Sequence, residues 1–492
     1  MKVRALCLAI LFISPACLAL SSPVQENNTA SLTQVISDYR RHLATRPVDY
    51  SLQQSKQLPG VMLRRYLLNS QRWSPQGVVS PERWQNGVDI YIPESARETN
   101  ALVVINNGSN NNGSGIPVEP TNFTEQELTR IAVATRTVVI SVSNVPNQVL
   151  NYQGEPKPLA EDDSVAYTWK LFTRDPEKYR NVSLHIPMAA SVSQALRLAK
   201  QELMPQKISH FIVTGASKRG WAAWLTALSD PDVIAVVPFV MDLLDTQKSL
   251  RHMYQSYGKN WPLAFYPYYQ QGIDQQIDTD AFTSLMTLED PLSYLNTGMG
   301  NRLAIDKYMI NASGDDFYVP DNSHFYYDRL PGVKSLRVVP NSSHNGILSV
   351  AESSLITFVN RLQNKQKLPE ISESLQNSGD GKQQLTVTFS GKPATLLQWT
   401  ASNPVARDFR YACGIQYRSA PVSLSGESNT LIIPLTTPDS GWQATYLEAT
   451  FSDGFVATTQ VYITPANRYP DTAPPTKGAA CQTLPGRGLR LP

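Results

Sequence analysis

Phe211-Ile-Val-Thr-Gly-Ala-Ser217-Lys-Arg-Gly220-Trp221 is the stretch that decides the fold. Phe211 to Val213 is a continuous apolar run, as expected of a strand buried on both faces. Arg219 to Leu228 then follows a helical pattern. Small residues, Gly215 and Ala216, precede Ser217, so the chain can turn tightly from strand to helix and project the serine from the carboxyl edge of a sheet. A serine held in this way is placed to act as a nucleophile. The backbone N–H of Lys218, at the start of the helix, would face the developing oxyanion. The usual elbow has glycine two residues after the serine. Here Arg219 stands in that position and the glycine comes one later. A Gly-x-Ser turn can also simply cap a helix, so the rest of the chain has to discriminate.

Working outward, Val88 to Ile92, Ala101 to Ile105, Thr137 to Val142, Ile234 to Val240, Ile305 to Ile310 and Leu336 to Val339 read as strands. Leu32 to Arg41, Ala189 to Leu203 and Ile347 to Leu362 read as helices. Strands alternating with helices predict a mostly parallel sheet wrapped by helices. Two loops after predicted strands carry the residues a serine nucleophile needs. Asn311-Ala-Ser-Gly-Asp315-Asp316-Phe317 supplies an acid. Asp316, four residues before Pro320, is the expected choice, with Asp315 open as the alternative. Pro340-Asn-Ser-Ser-His344 supplies a base, one of six histidines in the chain. Serine, acid and histidine in that chain order, each after a strand, predict an α/β-hydrolase fold with a triad of Ser217, Asp316 and His344. Lys218 would give one oxyanion donor. Ser109, in the Asn/Gly-rich loop after the strand at 101–105, would give the other. Arg219, beside the nucleophile, is expected to grip a carboxylate or phosphate on the substrate. No clustered ligand pattern calls for a metal, and the chemistry needs no cofactor.

The segment 241–301 interrupts the rhythm of strand and helix. It is rich in aromatics, including Tyr254, Tyr257, Trp261, Phe265 and Tyr268. It reads as a lid insertion, or as a unit whose aromatics fill its own small core. With it, the hydrolase domain is expected over 21–365. A polar stretch follows, and 385–465 contains short strands without helical period, predicting a β-sandwich-like domain. A Pro/Gly-rich tail closes the chain at 470–492.

The N-terminus has Lys2 and Arg4 before an apolar run from Ala5 to Leu20 that Pro15 interrupts. This reads as a signal peptide over 1–20 and predicts a periplasmic or secreted protein. A lipoprotein processed at Cys17 is the minor alternative. The mature chain shows no later stretch able to span a bilayer. Four cysteines occur. With Cys7 and Cys17 in the leader, Cys413 and Cys481 remain as a pair for a disulfide in an oxidising compartment. A net charge of +2 over 492 residues, with no basic block, argues against a nucleic-acid partner.

Thr214 to Trp221, Asn311 to Phe317 and Pro340-Asn341 before His344 together resemble the PhoPQ-activated pathogenicity-related protein family, from about Tyr50 through the β-rich region. The resemblance implies an exported α/β-hydrolase-like protein of bacteria, regulated by a sensor of cationic peptides and low magnesium, with no settled substrate. The Gly-x-Ser-x-x-Gly spacing is also similar to that of glucuronoyl esterases, which carry arginine where this chain has Lys218. The expected function is an exported serine hydrolase acting on a small ester, a glycan ester or a peptide. The alternative is a catalytically inactive binding protein of the cell envelope on the same fold.

Overall fold

A computed structural model describes residues 32–110, 117–377, 383–426 and 428–489. The expected signal peptide, Cys7 and Cys17 lie outside the described residues, as does the 111–116 part of the Asn/Gly-rich loop.

The core is a nine-stranded sheet. Its strands are β1 (Asp49–Leu58), β2 (Val61–Arg72), β3 (Arg83–Pro93), β4 (Asn100–Ile105), β5 (Val138–Val142), β6 (His210–Ala216), β7 (Val233–Phe239), β8 (Asp306–Ala312) and β9 (Lys334–Val339). Their spatial order is β1-β2-β3-β5-β4-β6-β7-β8-β9. From β1 to β5 neighbours run antiparallel, and from β5 to β9 they run parallel. This is the α/β-hydrolase sheet with one additional edge strand. Central strands β4 and β6 are apolar because helices cover both faces. Ala101 to Ile105 and Phe211 to Val213 are fully buried. The sequence reading misses the β1–β2 hairpin. β1 lies at the sheet edge with most residues exposed, so its Ser51-to-Gln57 stretch shows no apolar alternation. It also misses the helices Glu125–Thr135 and Glu161–Arg174, although Thr124 and Glu127 form a capping box at the first of them.

The insertion between β7 and β8 contains helices Thr246–Ser256, Tyr266–Gln270 and Asp280–Glu289. Its aromatics join the buried cluster of the main sheet and the elbow helix rather than filling a separate core, and Phe265 and Tyr268 line a cavity with Ser217. Trp261, Phe265 and Tyr268 stack in series, with ring centroids 4.6 and 5.2 Å apart.

Beyond helix Ala351–Gln363 the chain forms two antiparallel sheets. One contains Ile371–Asn377, Gln383–Phe389 and Thr430–Leu435. The other is built on Thr395–Asn403 and Trp442–Thr450. Leu385, Val387, Phe389, Ile433, Leu447 and Ala449 are buried in one cluster, giving the expected sandwich. The domain begins earlier than the sequence reading places it. Ile371–Asn377 pairs along its whole length with Gln383–Phe389, and its exposed, polar residues had read as linker. The domain also covers the open edge of the main sheet. Thr458 Oγ1 accepts a hydrogen bond from the Val338 N–H at 3.0 Å, and the Tyr308 hydroxyl donates to the Val456 carbonyl at 2.5 Å.

The tail is pinned down at two places. Cys413 and Cys481 form a disulfide across 68 residues. Thr483–Pro485 pairs antiparallel with Asn260–Pro262 of the insertion. Closing a loop of that length stabilises the fold by about 4 kcal/mol in the chain-entropy model. Replacing both cysteines by serine should lower unfolding free energy by about that amount. The tail should become protease-sensitive before the sheet core does. Non-reduced peptide mapping should find the two cysteines linked, and two alkylatable thiols in native, exported protein would refute the bond.

Candidate active site

The elbow owes its shape to two glycines. A Cβ on Gly215 would come within 2.6 Å of the Arg219 carbonyl oxygen. A Cβ on Gly220 would come within 3.0 Å of the Gly215 carbonyl oxygen and 3.2 Å of Met241 Cβ. Helix Lys218–Ser229 therefore crosses β6 with no side chain between them. Gly220 does the work that the glycine two after the serine does elsewhere, which leaves Arg219 to point away. Ser217 sits at the turn with φ 57° and ψ −126°, a strained conformation for a residue with a Cβ. Its N–H donates to the Phe239 carbonyl at 2.8 Å, fixing the turn to β7.

Ser217 and His344 line the same cleft. The His344 Nδ1 lies 2.9 and 3.0 Å from the two carboxylate oxygens of Asp315. Both residues are buried. The expectation of Asp316 at this position is corrected: its neighbour Asp315 meets the imidazole. The reason is the turn that follows. Asp315 Oδ1 also accepts the backbone N–H groups of Phe317 at 2.7 Å and Tyr318 at 3.2 Å, which aims the carboxylate inward. Asp316 lines the cleft nearby. Burial, then the adjacent Asp315 charge, pushes its carboxyl above the usual range. The Phe317 ring packs on the His344 ring with centroids 4.8 Å apart.

The β-rich domain supports both loops from behind. The Tyr411 N–H donates to the Gly314 carbonyl at 3.1 Å, and the Gly314 N–H donates to the Ser342 carbonyl at 3.0 Å. A Cβ on Gly314 would lie 2.7 Å from Tyr411. The Asn341 amide exchanges hydrogen bonds with the Tyr417 backbone at 2.7 and 3.0 Å. None of this support was legible beforehand.

Three further expectations meet different outcomes. Lys218 stands at the first helical position, where its N–H has no intrahelical acceptor. Its ammonium is buried between Glu161 at 2.8 Å and Asp162 at 3.0 Å. Ser109 is not placed as a donor. Its N–H is held by the Val118 carbonyl at 2.9 Å and its hydroxyl by the Gln148 carbonyl at 3.1 Å. From that side Asn107 and Asn122 line the cleft instead. Arg219 is not free to bind substrate. Its guanidinium donates to the Val145 carbonyl at 2.6 Å and to Glu161 at 2.5 Å, and the residue is 3% exposed. Burial would raise the Glu161 carboxyl, but Arg219 and Lys218 hold it well below the usual carboxylate range. The acidic run Glu161-Asp162-Asp163 was the one sequence signal of this cluster. Its partners lie more than fifty residues away, so only folding reveals the pairing.

Among known proteins, residues 36–410 match the family described as PhoPQ-activated pathogenicity-related protein. The autocrine proliferation repressor protein A of Dictyostelium discoideum is 29% identical over 404 residues, covering 78% of this chain and 79% of that protein. Among solved structures, an acetyl xylan esterase from Paenibacillus sp. R4 aligns with 14% identity and a TM-score of 0.45, over 69% of this chain and 99% of that one. A glucuronoyl esterase from Solibacter usitatus aligns with 10% identity and a TM-score of 0.39, over 72% and 98%.

Three substitutions separate the roles of these residues. Asp315→Asn should reduce any turnover that depends on the imidazole by roughly 10³- to 10⁴-fold, whereas Asp316→Asn should cost less than about tenfold. Equal losses in kcat would contradict the geometry. Arg219→Ala should destabilise the protein by about 1–3 kcal/mol, because the buried Val145 carbonyl loses its donor and the Glu161 carboxylate loses one of its partners. Chemical denaturation measures this, and an unchanged midpoint would contradict it.

Proposed function

For a chain that belongs to the PhoPQ-activated pathogenicity-related protein family, with Ser217 and His344 lining one cleft and Asp315 on the imidazole behind it, we propose a serine esterase exported from the cytoplasm. The observation that carries this reading is the His344 Nδ1 contact with both Asp315 oxygens, at 2.9 and 3.0 Å, in the wall of the cleft that Ser217 lines. Asp315 fixes the tautomer that leaves Nε2 unprotonated. Nε2 accepts the Ser217 hydroxyl proton as Oγ attacks the ester carbonyl. The carbonyl π electrons move to oxygen, and the Lys218 N–H stabilises that oxyanion. The tetrahedral adduct collapses, the C–O bond to the alcohol breaks, and His344 returns the proton to the departing oxygen. Water then attacks the acyl carbon as His344 takes its proton, the bond from that carbon to Ser217 Oγ breaks, and His344 returns the proton to Oγ as the acid leaves. An ester suits this machinery better than an amide, because an alkoxide departs with less help from the proton than an amine does.

Export is supported by the basic, apolar N-terminal segment and by a disulfide of the kind that persists in oxidising compartments. Among the described residues no helix is long and apolar enough to cross a membrane. An arginine where the elbow usually has glycine is the feature that would favour an inactive binding protein on this fold. Gly220 supplies the close helix contact and Arg219 is paired with Glu161, so the feature carries no such weight here.

Ser217→Ala should reduce hydrolysis of 4-nitrophenyl acetate by on the order of 10⁴-fold or more, with thermal stability nearly unchanged. A small alkyl fluorophosphonate should add one phosphonyl group to wild type and none to Ser217→Ala. Undiminished turnover in the variant, or no adduct on folded wild type, would end this reading.

A further inference from the structure

Two cavities meet at Ser217. They share Asp162, Lys218 and Phe317 in their walls and differ in size and lining. The first is a slot of about 20 Å³ walled mainly by Trp169, Trp221, Leu250, Met253, Phe265 and Tyr268. The second is a cleft of about 520 Å³ whose wall includes Asn107, Asn122, Glu161, Asp316 and His344. His344 lines the cleft and is not among the residues lining the slot.

We infer that the substrate is a short-chain acyl ester, of acetyl to propionyl size, of a large polar alcohol. This rests on the serine esterase reading above. The direction follows from the proton. His344 must reach the oxygen of the departing alcohol, so the alcohol lies on the His344 side, in the cleft. The acyl group is left with the slot. A volume of about 20 Å³ is only a little more than a single water requires, which fits a methyl and excludes a long chain.

The slot is rigid as well as small. Trp169, Leu250 and Met253 are each 1% exposed. Tyr268 stacks on Phe265, tilts against Trp169 at 5.2 Å, and donates its hydroxyl to Asp162 at 3.1 Å. Side chains packed at interior density do not yield to extra methylenes without cost. The cleft is polar, Lys218 and Arg219 are paired with Glu161 and Asp162, and the Asp316 carboxyl adds an acceptor to its wall that would repel an anion. It therefore suits neutral hydroxyl-bearing groups, such as those of a sugar or polyol, better than an ionic or apolar alcohol.

The test uses the purified mature protein and 4-nitrophenyl esters that differ only in acyl length. kcat/KM should fall at least tenfold from acetate to butyrate and at least a hundredfold to octanoate, in line with the discrimination a tight apolar pocket achieves per methylene. Met253→Ala, and Leu250→Val should the first not fold, should raise the butyrate-to-acetate ratio about tenfold. A flat or rising profile with chain length overturns the slot assignment. A hexose carrying a single acetyl ester should be deacetylated at least ten times faster than decyl acetate, and the reverse order overturns the assignment of the alcohol. Mass spectrometry of Ser217 after treatment with methyl- and hexylphosphonate 4-nitrophenyl esters separates the two levels of failure. Labelling by neither removes the esterase reading and this inference with it. Equal labelling by both removes only the slot. Labelling by the methyl reagent alone supports it.

Discussion

The strand-to-helix crossing at Gly215 and Gly220 is the contact on which the rest depends. Backbone touches backbone there, with less than 3.5 Å available to any Cβ. That closeness forces Ser217 into φ 57°, a conformation that costs of order 1–3 kcal/mol and persists only where surrounding packing imposes it. The imposing structure is considerable. β6 is an interior strand buried on both faces, and Trp221, Ala222 and Trp224 fix the helix in the main core. The serine is exposed to the cleft because its backbone has nowhere else to go.

The second half of the site is held from a different direction. The acid and histidine loops leave adjacent strands β8 and β9, so parallel pairing brings their ends close. Neighbouring strand ends do not orient an imidazole. Orientation comes from Tyr411 against Gly314 and from Tyr417 against Asn341, both supplied by the β-rich domain. That domain is consequently part of the scaffold of the site rather than an appended module. The ion pair of Arg407 with Asp321, at 2.6 Å, and the hydrogen bond of Asp321 with His252, at 2.9 Å, join the same domain to the acid side of the sheet and to the insertion. Arg410 donates to the Cys481 and Gln482 carbonyls, so the disulfide-bonded tail backs the segment that carries Tyr411.

Beside the nucleophile, four ionised side chains cancel one another. Burying Lys218 and Arg219 alone would be costly, and each is compensated by the acidic start of helix Glu161–Arg174. Carboxylates at a helix N-terminus are themselves favoured by the helix dipole. The result locks the first turn of the elbow helix to a neighbouring helix and leaves neither cation free for a substrate. That outcome reverses the role the sequence assigns to Arg219, and the reversal follows from a partner that no local pattern announces.

By itself the sequence determined the elbow, the sheet's buried strands, the chain order of serine, acid and histidine, and the cysteine pair. Each is written in short-range terms: apolar runs of strand length, glycines where the backbone must turn, a loop after a strand. It also placed the acid to within one residue, and stopped there. Whether Asp315 or Asp316 meets His344 depends on which carboxylate the turn at Phe317 and Tyr318 captures. Adjacent residues in a loop point in different directions, and composition carries no record of which is inward. The edge strand β1 and the strand Ile371–Asn377 were invisible for a related reason. Solvent-exposed strands need no apolar alternation, and only pairing with a neighbour makes them strands. The fate of Arg219, the engagement of Ser109 and the support from Tyr411 were decided by tertiary structure alone, because each is a contact between residues far apart in the chain. Such contacts depend on distances that exist only after the sheet has brought its strand ends together.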